Sequence, residues 1–259
     1  MAKAWAKFPY SDKKYQYTAA TLKKAWDRLH KGDAEPFPKS DALVEAWLAF
    51  HAGEFQKAAE LGLKAGADGT NVANKAQAIY ANYLEENDKR KLELFLEAAE
   101  RAEALQSSAP KNPNAYYWQA YALGRYAQGI SVVKALTQGI GGKVKTALET
   151  AIKLAPKHAD AHIALGSYHA EVIDKVGAMI GGLTYGAKKD AALKNFQTAL
   201  KLAPDSVIAR IEYANGLVML EGKKALKEAE KLYSDAAACE PLDAMERLDV
   251  EVAKSELED

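Results

Sequence analysis

Three histidines have the spacing in this chain that comes nearest to a metal site. His158, His162 and His169 follow one another at steps of four and seven residues, so on a helix they lie on one side. Two histidines four residues apart on a helix can share a zinc ion. However, His158 lies beside the helix-breaking Pro156, and His169 lies about 10 Å further along the axis. We therefore predict structural roles for these histidines and no metal site.

The other candidates for chemistry are weaker. The segment "GIGGKVKT" at 139–146 resembles a phosphate loop, but its first glycine is too close to the Gly-Lys pair that ends such a loop. Val144 also stands where Ser or Thr must follow the lysine. Cys239, in "AAACEP", falls at the end of a repeat helix and is expected to be a buried small hydrophobe. The paired carboxylates Glu85–Glu86 and Asp249–Glu251 fall in charged helical segments, which predicts solvated faces. We expect no catalytic residue, no cofactor and no enzymatic activity.

Composition limits the class of partner. Lys+Arg and Asp+Glu both number 35 and no dense basic cluster occurs, so the charge does not favour nucleic acid. The longest weakly polar stretch, 176–187, is about half of the ~20 residues that a membrane helix needs. The start, "MAKAWAKFPYSDKK", lacks the apolar core of a secretion signal. We expect a cytoplasmic protein that is not an integral membrane protein, or a periplasmic one if the sequence is the mature part of an exported protein.

The elements that carry these residues follow a spacing that recurs four times: small, bulky, small and proline, separated by four, three and five residues. The first three positions share one helical face, and the proline ends the helix. A repeating helix pair is typical of an α-solenoid, a fold of binding proteins. The four occurrences are Ala98–Ala102–Leu105–Pro110, Val144–Leu148–Ala151–Pro156, Ala192–Phe196–Ala199–Pro204 and Ala229–Tyr233–Ala236–Pro241.

The periodicity predicts an all-α chain of about twelve helices. Residues 1–39 hold an N-terminal helix and the breaker-rich linker "GDAEPFPKS", which we expect to pack on the array. Residues 40–259 form the solenoid as one structural domain. Asn112–Pro113 predicts a helix start with proline in the first turn, and Asp243 with Glu246 has capping-box spacing.

Two apolar insertions interrupt the repeats. Successive prolines are 46, 48 and 37 residues apart, against a unit of about 34. The two large surpluses fall in "GISVVKALTQGIGGK" and "EVIDKVGAMIGGLTYGAKK", where helical spacing of apolar residues continues to Ile140 and Leu183. The pattern predicts first helices lengthened by about three turns. Because exposed loops are normally polar, these apolar segments need a partner surface.

The recurring unit resembles the tetratricopeptide repeat (TPR). His162, Leu165, Gly166 and His169 fall at the bulky, leucine, glycine and aromatic positions of that family's first helix, and 192–204 completes the unit. The segment "GGKVKTALETAIKLAPKHADAHIALGSYHAEV" is similar to the regulator-of-microtubule-dynamics family and to the T component associated with tripartite (TRAP) transporters. The resemblance implies a right-handed solenoid of stacked helix hairpins whose first helices line a concave groove. It implies no catalytic residues.

By register with that family, three first helices contribute to the groove. The family's best-known clamp for a terminal carboxylate needs Lys and Asn where this chain has Tyr117, Ile163 and Ile211. The apolar lining favours an apolar peptide, a partner helix or an acyl-like ligand, unless the chain's own long helices cover this surface. The expected groove residues are Asn114, Tyr117, Tyr121, Asp160, Ile163, Ser167, Ile208, Ile211 and Asn215.

Two functions therefore remain open. The first is a non-catalytic TPR scaffold or adaptor that binds a protein segment in the apolar concave groove. The alternative is a carrier or transport-accessory protein that encloses a small hydrophobic ligand between its two lengthened helices. A groove open along its length favours the adaptor, whereas a pocket closed at both ends favours the carrier.

Overall fold

The computed structural model describes residues 4–258 and consists of helices joined by short turns. One short 3₁₀ helix, Lys13–Tyr15, precedes the first α-helix, and two others, Gly66–Gly69 and Gly222–Ala225, lie between α-helices. The α-helices are α1 (Ala19–Leu29), α2 (Asp41–His51), α3 (Phe55–Lys64), α4 (Thr70–Tyr83), α5 (Asp88–Ser108), α6 (Pro113–Ile130), α7 (Val132–Thr137), α8 (Ile140–Leu154), α9 (Ala159–Val176), α10 (Ala178–Tyr185), α11 (Lys189–Leu202), α12 (Val207–Glu221), α13 (Leu226–Ala237) and α14 (Ala244–Ser255).

The helices pack as hairpins that stack in chain order. The pairs are α2 with α3, α4 with α5, α6 with α8, α9 with α11 and α12 with α13, and each pair contacts the next. The small, bulky and small positions of all four repeats are buried, and α5, α8, α11 and α13 each end before the repeat's proline. The predicted α-solenoid and its repeat spacing are therefore confirmed.

Glycine at two repeat positions allows the hairpins to pack closely. Phe196 of α11 is fully buried and lies between Gly166 of α9 and Gly216 of α12. A Cβ atom would lie 2.8 Å from the Phe196 ring at Gly166 and 2.4 Å at Gly216. Because contacts this short are repulsive, a larger residue at either position would push the helices apart.

The predicted helix starts are confirmed. The Asn112 side chain accepts a hydrogen bond from the N–H of Asn114, with Pro113 in the first turn. At α14, Asp243 Oδ1 accepts from the N–H of Glu246 at 2.8 Å. The Glu246 carboxylate accepts from the N–H of Leu242 at 2.9 Å, so this box closes one residue earlier than the usual form.

The two lengthened first helices were predicted wrongly, because each one breaks into two. Ser131, with φ of 92°, separates α6 from α7, and Gly177, with φ of 80°, separates α9 from α10. A right-handed helix cannot continue through positive φ, so the chain changes direction at both points. This explains why the described residues contain fourteen α-helices rather than about twelve. The first insertion, as α7, packs on α6, α8 and α9, whereas α10 packs on α9.

The two ends of the solenoid meet. The last helix, α14, contacts α2 of the first hairpin. The Tyr17 hydroxyl donates to the carbonyl of Leu242 at 2.9 Å, and Arg28 Nη1 lies 2.6 Å from Glu246 Oε1. Trp26 of α1 is buried, and its ring is perpendicular to that of Trp47 of α2, with the centroids 5.5 Å apart. The chain itself therefore covers part of the concave side.

A buried polar chain connects these ends. Lys75 Nζ lies 2.6 Å from Asp33 Oδ2, and the other oxygen of Asp33 lies 2.9 Å from His30 Nδ1. His30 Nε2 lies 3.3 Å from His51 Nε2, and His51 Nδ1 lies 2.7 Å from Asp243 Oδ2. Burial lowers the pKa of His30 to about 4, so this imidazole is neutral at pH 7. This series of buried polar contacts joins the end of α1, α2, α4 and the start of α14.

Candidate functional site

The three histidines have separate structural partners. His158 caps α9 through its ring, and its Nε2 lies 2.8 Å from Asn114 Oδ1. His162 Nδ1 lies 2.8 Å from Asn195 Oδ1, whereas His169 accepts a backbone N–H from residue 188. Within residues 4–258, no group of three or more His, Cys, Asp or Glu side chains has the arrangement of a metal site.

One carboxylate pair differs from the sequence prediction. Asp249 is buried rather than solvated and accepts a hydrogen bond from the Tyr83 hydroxyl. Burial raises its pKa well above the ordinary value. Glu251 lies nearer the surface, 3.0 Å from Arg247. Cys239 is only half-buried. The charged sequence of α14 predicted a solvated face. Because α14 packs against α2, α12 and α13, its Asp249 is buried instead.

A largely apolar cavity lies among α6, α7, α8, α9, α12 and α14. Its volume is about 110 Å³, and it opens to solvent at its mouth. Ligand pockets in proteins are mostly apolar. The apolar wall includes Val132 and Leu136 of α7, Val144 and Leu148 of α8, Val172 of α9 and Ile208 of α12. The first apolar insertion has thus become a wall of the cavity.

The structure brings six of the nine predicted groove residues together and places the other three elsewhere. Asn114 is buried and donates to the Glu35 carboxylate at 2.6 Å. Ile211 of α12 is buried against α13 and α14, and Asn215 accepts a hydrogen bond from Tyr233 of α13. The six that line the cavity are Tyr117, Tyr121, Asp160, Ile163, Ser167 and Ile208.

A group of charged side chains forms another part of the lining. Arg125 Nη2 lies 2.8 Å from Glu212 Oε1, and the Ser167 hydroxyl donates to Glu212 Oε2 at 2.9 Å. The Arg125 guanidinium also lies over the Tyr121 ring, 5.4 Å from its centroid. Burial raises the pKa of Glu171, which completes the group. Arg125 is therefore already neutralised by a neighbour.

The sequence analysis missed these charged residues although a signal was present. Arg125 lies four residues after Tyr121, Glu171 four after Ser167, and Glu212 four after Ile208. Positions four apart lie on the same helical face. Continuing each predicted stripe by one turn would therefore have placed all three in the groove.

Asp160 is the carboxylate that is least satisfied within the cavity. It lies in the first turn of α9 and lines both this cavity and a smaller adjoining one. The close approach depends on Gly32, where a Cβ atom would lie 2.3 Å from Asp160 Oδ1. Burial and the charge of Asp33 raise the pKa of Asp160 to about 7, and Lys75 opposes them only partly. Among residues 4–258, no side chain forms a hydrogen bond or ion pair with its carboxylate.

The fold and this cavity define a class: a TPR-like, right-handed α-solenoid that carries an internal pocket. The family model "Regulator of microtubule dynamics protein 1-3" matches residues 50–258, which is most of the chain. The chain belongs to this family. No curated protein sequence matches it. The similarity to the TRAP T component and the compartment remain predictions.

One solved structure supports the fold, and two further ones are less similar. TTC0263, a thermophilic TPR protein of Thermus thermophilus, is 19% identical with a TM-score of 0.58, over 83% of this chain and 98% of that one. YrrB, a TPR protein with an unusual peptide-binding site, is 14% identical with a TM-score of 0.41, over 92% and 100%. A monomeric IFIT1 mutant with Gppp-AAAA is 15% identical with a TM-score of 0.44, and the match covers 86% of this chain but 56% of that one. At 19% identity, the likeness to TTC0263 shows the fold alone. Within residues 4–258, no helix combines the length and apolar character needed to cross a membrane.

Proposed function

We propose that this protein is a non-catalytic binding protein that encloses a small apolar ligand in the cavity among α6, α7, α8, α9, α12 and α14. The observation that carries the proposal is the cavity itself, which has a largely apolar wall with a few polar groups among the apolar and aromatic side chains. This is the carrier alternative in a changed form. The ligand lies against α7 and α8 rather than between two long helices.

The closed ends of the array favour a small ligand over a long extended segment. The carbonyl of Asp33 accepts from Asn114 at the start of α6, and the carbonyl of Gly32 accepts from the N–H of Asp160 at the start of α9. Met245 of α14 lines the same cavity and, with Gly32 and Asp33, the smaller adjoining one. The linker and the last helix therefore occupy parts of the concave side that a peptide lying along the solenoid would need.

The energetics of binding also suit an apolar chain. Each methylene group that leaves water for an apolar wall contributes about 0.8 kcal/mol. Because α7 and α8 already shape the wall, little ordering cost opposes this gain.

Two glycine substitutions test the proposal. Gly124 of α6 lines the cavity, and a Cβ atom there would have no neighbour within 4 Å, so Gly124→Leu would extend into free space. Gly142 of α8 is a matched control, since it also has no neighbour within 4 Å but lies outside the cavity. Both changes replace glycine within a helix, so both should preserve or raise helix stability.

The measurement is the fluorescence of phenylnaphthylamine, a neutral apolar dye, titrated with each protein. We expect saturable binding to the wild type and to Gly142→Leu, and binding at least about tenfold weaker to Gly124→Leu. Native mass spectrometry followed by denaturing extraction would identify any molecule that co-purifies. An absence of dye binding to the wild type, or equal binding by all three proteins, would refute the proposal.

A protein-binding scaffold remains the second candidate function, and α10 favours it. Met179, Ile180 and Leu183 are 75%, 52% and 86% exposed, although they are large apolar side chains on a two-turn helix. We propose an amphipathic helix of a partner protein as the occupant, because helix faces pack through such residues. Affinity purification with quantitative mass spectrometry would compare wild type, Leu183→Lys and Gly124→Leu. A partner lost only from Leu183→Lys supports this candidate, and identical partner sets contradict it.

A further inference from the structure

We propose that the ligand of the cavity carries an organic ammonium group on its apolar chain, and that Asp160 and the neighbouring aromatic rings bind this group. The inference rests on the proposed function, since it names the chemical class of ligand for the same cavity. Its starting point is a charge imbalance in the lining.

The charged lining of the cavity is mainly acidic. Among the described residues that line it, Arg125 is the basic side chain, whereas Asp160, Glu171 and Glu212 are carboxylates. Glu212 already binds Arg125 at 2.8 Å, so that cation has little attraction left for an anionic ligand. The remaining charge is negative, which favours a cationic ligand group.

Asp160 is the carboxylate with room for such a partner. Lys75 is the nearby cation that lowers its pKa, but Lys75 Nζ lies 2.6 Å from Asp33 and belongs to the buried polar chain. Burying a carboxylate without a partner is costly. A positive charge delivered by a ligand would remove that cost, so binding energy is available at this position.

Three aromatic side chains line the cavity together with this carboxylate. The ring centroids of Tyr117 and Trp118 lie 4.8 Å apart, and those of Trp118 and Tyr121 lie 5.4 Å apart. All three residues line the cavity. Aromatic faces attract ammonium ions, above all quaternary ones, when the site is shielded from water.

The same features disfavour other ligand classes. An anionic group would meet Asp160 and Glu171 besides the Arg125–Glu212 ion pair. A metal ion would need several oxygen or nitrogen ligands around one point, and residues 4–258 provide no such set. An ammonium group on an apolar chain satisfies both the acidic group and the apolar wall.

Three ten-carbon ligands test the inference: decyltrimethylammonium, decanol and decyl sulfate, each below its micelle concentration. Their affinities are measured by displacement of phenylnaphthylamine from the full chain. We expect the ammonium ligand to bind at least about tenfold more tightly than the alcohol, and the sulfate to bind most weakly. Asp160→Asn should reduce the ammonium affinity to that of the alcohol and leave the alcohol unchanged. Asp160→Glu should retain most of the preference.

A control variant and the fold of each protein complete the design. Asp174→Asn removes a carboxylate from the same helix that pairs with Lys175 at the surface, and it should leave all three affinities unchanged. Circular dichroism would show that each variant retains its helices. If the alcohol binds and the ammonium ligand binds no better, this inference fails while the apolar cavity stands. If none of the three displaces the dye, the proposed function fails as well.

Discussion

Replacing Asp160 by asparagine should stabilise the ligand-free protein, and the gain should depend on pH. The pKa of this carboxyl is raised from its ordinary 3.8 to about 7, first by burial and then by the charge of Asp33. An acid with a raised pKa binds its proton more tightly in the folded state. The folded state therefore loses stability, relative to the unfolded state, as the pH rises from about 4 to about 7. Asparagine has the same shape and no such charge.

The size of the gain follows from the pKa. A rise from 3.8 to about 7, at about 1.4 kcal/mol for each pH unit, sets an upper limit of about 4 kcal/mol. The side chain is only partly covered, because it faces the cavity. Solvent screening reduces the cost of its charge, so we expect a gain of about 2 kcal/mol at pH ~8 and almost none at pH ~4.

Urea denaturation of wild type and Asp160→Asn across this pH range measures the difference. Glu35, whose pKa burial also raises to about 7, is present in both proteins, so its contribution cancels. A difference that stays constant with pH, or that favours the wild type at pH ~8, would refute the reasoning. A variant that is more stable but binds ammonium ligands less well would show that this carboxylate is retained for binding.

Other changes test the packing and the buried polar chain. Lys75→Met should destabilise the protein by about 3–5 kcal/mol in urea denaturation, because it leaves the buried Asp33 charge without its cation; a loss below about 1 kcal/mol would contradict this. In the wild type, Lys75 and the contacts with His30 outweigh burial and lower the pKa of Asp33. Acid titration followed by circular dichroism should therefore show stability falling below about pH 4. Unchanged stability there would contradict the prediction. Gly216→Ala should lower stability by about 1–3 kcal/mol because its Cβ would clash with Phe196, whereas Gly142→Ala, with free space around it, should slightly raise stability; equal melting temperatures for the two variants would contradict the packing argument.

Local patterns in the sequence determined the repeat architecture. The spacing of Ala192, Phe196 and Ala199 predicts a buried helical face, and Pro204 predicts where that helix ends. Both are correct, because the helical period and the geometry of proline act within a few residues. The cap at Asn112 is predictable for the same reason.

The same patterns misled where the outcome depended on distant contacts. The apolar spacing through Val176 and Leu183 favoured one continuous helix. Nothing in that spacing indicated that Gly177 would adopt positive φ and end the helix. Asp249 lies in a charged stretch, and its burial depends on Tyr83, which is remote in sequence. Periodicity describes which face of a helix is apolar but not what covers that face.

The sequence by itself determined the class of fold and where the repeat helices end, since these depend on helical period and on proline. The groove prediction, which came from register with the TPR family, included six residues that line the cavity. The tertiary structure alone decided that the solenoid closes on itself. That closure comes from the contacts of α14 with α2 and from the series of buried polar side chains that begins at Lys75 and ends at Asp243. These residues are far apart in sequence. It turns a concave surface into a cavity and leaves Asp160 facing it, because the elements that meet there are brought together only when the whole array has stacked.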